Sequence, residues 1–260
     1  MIRLKNEKQI AGIRKSCKML SAMYRELIPL VKPGIVTLEI DHWVRNWIKK
    51  AGGRPAFLGV GDRNNPFPSA ICVSLNNEVI HGIPSRRKIA EGDLVSLDCG
   101  IDLEGYVSDQ ALTLEAGRVS PEARALNSAT RECLERAFAA VKAGDRLLQV
   151  SRAVESCAKA AGFGIVSRYC GHGVGFSLHE DPQVPNTPHG PNPKMTNGLV
   201  IAVEPMVNLG TGDVDLLEDG WTVVTHDGRI SAHWEHTIAV TGGRAELLTE
   251  DLSWAVSAGR

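Results

Sequence analysis

The chain has 260 residues, 43% of them hydrophobic, and a formal net charge of −1. That length buries a sizeable core, as one large domain or two small ones, and the near-neutral balance sets up no global field toward nucleic acid or acidic lipid. No run of 18 apolar residues offers a membrane span, and Met1-Ile-Arg-Leu-Lys-Asn-Glu-Lys8 has neither the apolar stretch nor the cleavage site of a signal peptide, so the expected compartment is the cytoplasm.

The first predicted element is a helix in which Ile10, Ile13, Cys17, Leu20, Tyr24, Leu27 and Ile28 recur at spacings of three and four. Lys32-Pro33-Gly34 ends it. A second helix carries Leu38, Val44, Trp47 and Ile48 and stops at Gly52-Gly53. Short β-prone runs follow at Ile71–Leu75 and Leu94–Leu97. Leu103-Glu-Gly105 reads as a turn into a strand from Tyr106 to Leu114. Ser120-Pro121-Glu122 has the cap, the first-turn proline and the acid of a helix start, and that helix runs to Lys142-Ala143-Gly144. A fourth helix carries Leu148, Val154, Cys157 and Ala161 and stops at Gly162. Strand-like runs then return at Leu199–Val203, Trp221–Thr225 and Ile230–Val240. The six cysteines, Cys17, Cys72, Cys99, Cys133, Cys157 and Cys170, form no Cys-x-x-Cys pair and are expected as free thiols.

The order helix, helix, strands occurs twice. At an offset of 110, Lys32, Gly34, Leu38, Val44, Ala51 and Gly52 coincide with Lys142, Gly144, Leu148, Val154, Ala161 and Gly162. The reading is a single α+β domain of two pseudo-two-fold halves, about 1–118 and 119–260. Its sheet is curved and antiparallel, with helices on one face and the other left free for a site.

Within the strand-like runs stand four acids. Asp98 ends Leu-Val-Ser-Leu, and Asp109 lies beyond the turn, where a hairpin brings the two carboxylates together. Glu204 ends Leu-Val-Ile-Ala-Val, and Glu235 precedes an apolar run, so each half contributes a pair at comparable places. A buried unpaired carboxylate costs several kcal/mol. Two divalent cations balance four such charges, and oxygen-rich sites with an imidazole suit Mn, Fe, Co or Zn without selecting among them. His172, between glycines in Cys170-Gly-His-Gly-Val-Gly175, is the natural nitrogen ligand. Cys99 follows Asp98 directly and points to the opposite strand face, so it is not a ligand.

In this order and spacing, six segments make the chain resemble the type I methionine aminopeptidases, of the pita-bread fold. They are Asn77-Glu-Val-Ile-His-Gly-Ile-Pro84, the Asp98/Asp109 pair, Gly171-His-Gly-Val-Gly175, His179-Glu-Asp-Pro182, Val203-Glu-Pro-Met206 and Trp234-Glu-His-Thr237. The resemblance implies hydrolysis assisted by two metal ions, with Asp98, Asp109, His172, Glu204 and Glu235 as ligands. Asp109 and Glu235 would bridge, and Glu204 would shuttle the proton. It implies that His81 and His179 contact the scissile peptide, and that Phe67, Cys72 and Trp221 line a methionine pocket. Leu178 departs from the family, where an aromatic commonly precedes the second histidine. His42, His189, His226, His233 and His236 have no such context and are read as structural.

The implied partner is the N-terminal methionine of nascent polypeptides, preferably before a small residue. Ribosome proximity follows from that work and from no motif here. No basic patch with interleaved aromatics marks a nucleic-acid partner, no membrane partner is expected, and a monomer is. The chain looks like the minimal catalytic form. The rival readings are an Xaa-Pro-type pita-bread aminopeptidase, which would usually add a large N-terminal domain, and a non-catalytic pita-bread binding protein, which would have lost ligands.

Overall fold

The computed structural model describes residues 1–253. Helix α1 (Glu7–Leu27) starts at a capping box: Asn6 accepts from the Gln9 backbone N–H, and the Gln9 side chain accepts from that of Asn6. Every apolar residue that the spacing assigns to its inner face is buried. Buried Tyr24 on that face donates its hydroxyl to the Gln110 carbonyl at 2.8 Å, tying the helix to the sheet beneath. α2 (Thr37–Lys50), α3 (Pro121–Ala140) and α4 (Leu148–Ala160) complete the set of α-helices among the described residues. α3 starts as expected, with Ser120 accepting from Ala123 N–H, but ends short of the predicted Lys142, where Val141 turns to extended backbone.

The glycines of the internal repeat coincide in backbone geometry. Gly34 and Gly144 have φ of 97° and 92°, and Gly52 and Gly162 have 83° and 78°. A side chain is disfavoured in this left-handed region. After α2 the Gly53 N–H bonds back to the Ile48 carbonyl, and after α4 the Phe163 N–H bonds back to Ala158, so both helices end in the same reversed turn.

Nine strands form the main antiparallel sheet. They are β1 (Arg54–Pro55), β2 (Cys72–Leu75), β3 (Leu94–Leu103), β4 (Tyr106–Glu115), β5 (Cys170–Gly173), β6 (Glu180–Pro185), β7 (Val200–Val203), β8 (Glu235–Thr241) and β9 (Arg244–Leu247). The order is β1-β3-β4-β8-β7-β5-β6, with β2 on β3 and β9 on β8. Along β3, Val95, Leu97, Cys99 and Ile101 join residues of all four helices in one core. The intervening Ser96, Asp98 and Gly100 therefore face the other side. This alternation explains why the apolar run at Leu94–Leu97 understates the strand, which continues to Leu103. The β3–β4 turn has Glu104 and Gly105 at φ of 56° and 83°, the two-residue turn that matches strand twist. All six cysteines are free, and Cys99 lies on the helix side. No helix among the described residues is long and apolar enough to cross a membrane.

The two halves join at β4 and β8 through the pairs Ala111–Glu235 and Gln110–His236. On either side of these pairs a threonine hydroxyl replaces a direct ladder bond. Thr237 Oγ1 accepts from Asp109 N–H at 3.2 Å and donates to its carbonyl at 2.7 Å. Thr113 Oγ1 does the same for His233, at 2.9 and 2.8 Å. The expected run Ile230–Val240 is broken at Trp234. Its buried indole turns toward α3 and donates to Asn127 Oδ1 at 2.7 Å, interrupting the strand between Ser231–His233 and β8.

Thr113→Val keeps the shape and removes a hydroxyl that serves two buried backbone groups. The expected loss is about 1–3 kcal/mol in urea unfolding; an unchanged midpoint would show that the bridge contributes nothing.

Candidate metal centre

The register sets the acids in one neighbourhood on the free face. Asp98 and Glu235 are each paired with Ala111, so the three form a row across β3, β4 and β8, with Cys72 next to Asp98. Asp109 is two residues from Ala111 along β4 and points the same way. It pairs with Gly100, so Asp98 and Asp109 are diagonal neighbours and not directly opposite. The small Ala111 leaves the space between Asp98 and Glu235 open.

His172 in β5 pairs with Ala202, and Glu204 lies just beyond the end of β7. His172 Nε2 is 3.6 Å from Asp109 Oδ2 and 3.6 Å from Glu204 Oε1. The glycines flanking His172 serve close strand packing. A Cβ on Gly171 would stand 2.3 Å from the Ala202 carbonyl, and one on Gly173 would stand 2.2 Å from the Asp181 carbonyl. One ligand atom each from Asp109, His172 and Glu235 lie within 4.8 Å of one another.

The electrostatics of this cluster are unfavourable on their own. Burial pushes Asp98 up to about 7, with His233 opposing and Glu204 adding to the rise. Burial pushes Glu204 up to about 8. Asp109 and Glu235 are raised well above the ordinary carboxylate range, by burial first and then by their acidic neighbours. His172 is driven down to about 3 by burial and by His179, which keeps its imidazole neutral and able to donate a lone pair. Asp98 Oδ1, Asp109 Oδ1 and Glu235 Oε1 are buried without a hydrogen-bond partner. Acceptor oxygens left over, like charges crowded together and one neutral imidazole are what a divalent cation would satisfy.

The same cavity has an apolar side of Phe57, Val60, Phe67, Cys72, Leu178 and Trp221. Phe67 meets Trp221 edge-on at 5.2 Å between ring centres. His81 and His179 also line the cavity. His81 stands at φ 59°, an uncommon conformation for a side-chain-bearing residue. It is held by the next residue, whose carbonyl accepts from Val73 N–H and whose N–H donates to Ser74 Oγ. Burial lowers His81 to about 4. His179 packs edge-on against His172 at 4.5 Å.

The loop carrying Leu178 and His179 is fastened from the N-terminal segment. Lys5 Nζ and Glu180 Oε2 make a buried ion pair at 2.7 Å, while Glu180 Oε1 accepts from the Phe176 and Ser177 N–H groups. The Lys5 N–H is itself fixed to the Gly198 carbonyl at 2.7 Å.

Residues 11–242 match metallopeptidase family M24. The chain belongs to that family. A methionine aminopeptidase of Treponema pallidum is 50% identical over 252 residues, covering 96% of this chain and 97% of that protein. The crystal structure of a methionine aminopeptidase from Thermotoga maritima superposes with a TM-score of 0.92 at 40% identity, over 96% of this chain and all of that one. A prolidase from Pyrococcus furiosus shares the fold at TM-score 0.77 and 23% identity, this chain spanning 65% of its length. The pita-bread architecture expected from the sequence is the one observed, and an M24 member of this kind is a metal-dependent hydrolase.

His233, read from the sequence as structural, stands beside Glu204. Its Nε2 lies 3.5 Å from Glu204 Oε2. The signal was available: His233 is two residues before Glu235, and alternate strand residues share a face. The break at Trp234 obscured it. The register also revises the expected match between the halves. Asp98 corresponds to Glu204, but Asp109, with its threonine bridge, corresponds to His233.

A carboxyl whose pKa rises on folding binds its proton more tightly in the folded chain. Its contribution is complete below the unfolded value and is lost as pH climbs through the folded one. Above pH ~7 the histidines are neutral whether folded or not, so the acids set the slope, joined toward pH ~8.5 by the cysteines, whose pKa burial also raises. The thermal midpoint of chelated protein should fall between pH 7 and 8.5, through the ranges of Asp98 and Glu204. Saturating Mn2+ should reduce that fall, most of all near pH 7 where the acids alone contribute. A flat profile in chelator would refute the charge argument.

Proposed function

We propose that this chain removes the N-terminal methionine from nascent proteins and peptides, preferably before a small second residue, by peptide hydrolysis assisted by two divalent ions. The observation that carries the reading is one cavity with buried acids and a neutral imidazole on one side and an aromatic, sulfur-containing lining on the other. The full-length similarity to methionine aminopeptidases supports it. Asp98, Asp109, His172, Glu204 and Glu235 would hold the ions, of the Co, Mn, Fe and Zn class, with Asp109 and Glu235 as the ligands that would be shared between them. When bound, such ions supply Lewis acidity and lower the pKa of water toward neutrality.

The protein groups do the rest. Glu204, whose carboxylate lines the cavity beside His172, takes and returns the proton. His81 and His179 are kept neutral by burial, so each can donate one hydrogen bond to the developing oxyanion without a charge that would repel a cation. The rings of Phe67 and Trp221 with the Cys72 thiol receive the thioether, since sulfur packs well against aromatic edges. Leu178 completes that wall with a smaller side chain than a ring. The whole is one catalytic domain of two halves, acting in the cytoplasm close to where nascent chains emerge.

Metal-loaded protein incubated with Met-Ala-Ser should release free methionine, and Glu204→Gln should lower kcat by ~10²-fold or more. Cleavage confined to an Ala-Pro peptide would overturn the methionine reading, and no hydrolysis of either would favour a binding protein. Asp109→Asn should reduce the content of both ions by elemental analysis, because one carboxylate is shared. Two ions retained at full occupancy would contradict the bridging role.

A further inference from the structure

His233 is 1% exposed, and neither ring nitrogen has a hydrogen-bond partner. A buried polar group left unpaired costs ~1–3 kcal/mol, and an apolar side chain there would avoid the cost. The polar atom it does approach is Glu204 Oε2, at 3.5 Å, the outer limit for a hydrogen bond. The other oxygen of the same carboxylate faces His172 Nε2 at 3.6 Å. Glu204 therefore stands between two imidazoles, one on each oxygen. His172 lines the cavity and His233 does not, so His233 addresses Glu204 from behind.

The backbone under His233 is unusually well fixed. Thr113 Oγ1 holds both its N–H and its carbonyl, at 2.9 and 2.8 Å, and the same hydroxyl is anchored to Ser96 Oγ at 2.8 Å. This is the arrangement by which Thr237 holds Asp109 in the other half. The fold gives the two positions the same threonine bridge. At one the chain places a cavity-facing carboxylate, and at the other an imidazole directed at a carboxylate.

We propose that His233 is a positioning residue for Glu204: its Nε2–H donates to Oε2 and fixes the carboxylate so that Oε1 is presented on the His172 side of the cavity. The inference rests on the role given to Glu204 above. Without the donor, Glu204 can rotate about its side-chain torsions, and both its hold on a cation and its aim at the reacting water suffer.

The test compares His233→Phe, which keeps a ring and removes both nitrogens, with His233→Gln, which restores an amide donor; His233→Leu is a second donor-free variant. Chelated proteins are titrated with Mn2+ by calorimetry, and loaded proteins are assayed on Met-Ala-Ser. The donor-free variants should lose ~10–100-fold in Mn2+ affinity and in kcat, with KM little changed and a thermal midpoint no lower than that of the parent. The Gln variant should recover most of both losses. In a Glu204→Gln background, His233→Phe should change Mn2+ affinity no further, because the two residues act as one unit. Equal losses in Phe and Gln variants, wild-type affinity in the Phe variant, or additive losses in the double variant would each overturn the proposal. If the parent protein releases no methionine, the reading of function fails, and the Mn2+ titrations still decide whether His233 orders Glu204.

Discussion

Four carboxylates buried on one face of a sheet are the constraint from which the rest of this structure follows. Three lie on neighbouring strands and Glu204 just beyond the end of a fourth, close enough for like charges to repel, and burial drives Asp98 and Glu204 up to about 7 and 8. A flexible scaffold would relieve that repulsion by moving apart. This one is prevented from doing so on its opposite face, where residues of all four helices and of the sheet strands form one continuous core. Threonine bridges at the joint between the halves and the Tyr24 tether from α1 act in the same direction. The energy stored at the centre is held by packing elsewhere, as is usual where a site is pre-arranged for a cation.

Much of this was legible in the sequence, and the legible parts share a physical origin. The inner faces of the helices show in the period of their apolar residues, because helix burial is one-sided. The repeat shows at Gly34/Gly144 and Gly52/Gly162, because only glycine is comfortable at those positive φ values. The acids show because charged residues inside strand-like runs demand compensation. What was hidden depends on register and on side chains distant in the chain. The full length of β3 is masked because its second half alternates core residues with Asp98 and Gly100. The kink at Trp234 depends on Asn127, more than a hundred residues away, and it concealed the alternation that puts His233 beside Glu235. The Lys5–Glu180 pair, buried between the N-terminal segment and the loop of His179, has no local signature at all.

The glycines around His172 show how one feature carries two explanations of different strength. As a sequence pattern, Gly-His-Gly suggests backbone brought close to a ligand. In the fold, the Cβ positions of Gly171 and Gly173 are filled by the carbonyls of Ala202 and Asp181, so the glycines let β5 fit between its neighbours. The histidine reaches the centre because its strand does. Replacing either glycine would move the imidazole by displacing the strand, a structural route to a chemical defect.

The pseudo-two-fold scaffold explains why the centre is asymmetric. Register equates Asp98 with Glu204, Ala111 with Glu235 and Asp109 with His233. Had both members of each pair been acids, six carboxylates would converge on one cavity, more charge than two divalent cations balance. Ala111 removes one acid and opens the gap between Asp98 and Glu235. His233 removes another and supplies a hydrogen-bond donor at the point where Glu204 has an oxygen to spare. The repeated backbone thus fixes where side chains can enter, and the departures from repetition determine which positions hold charge and which support it. An imidazole at 233 fits that division, because a neutral donor there lowers the repulsion that a second Asp109 would have raised.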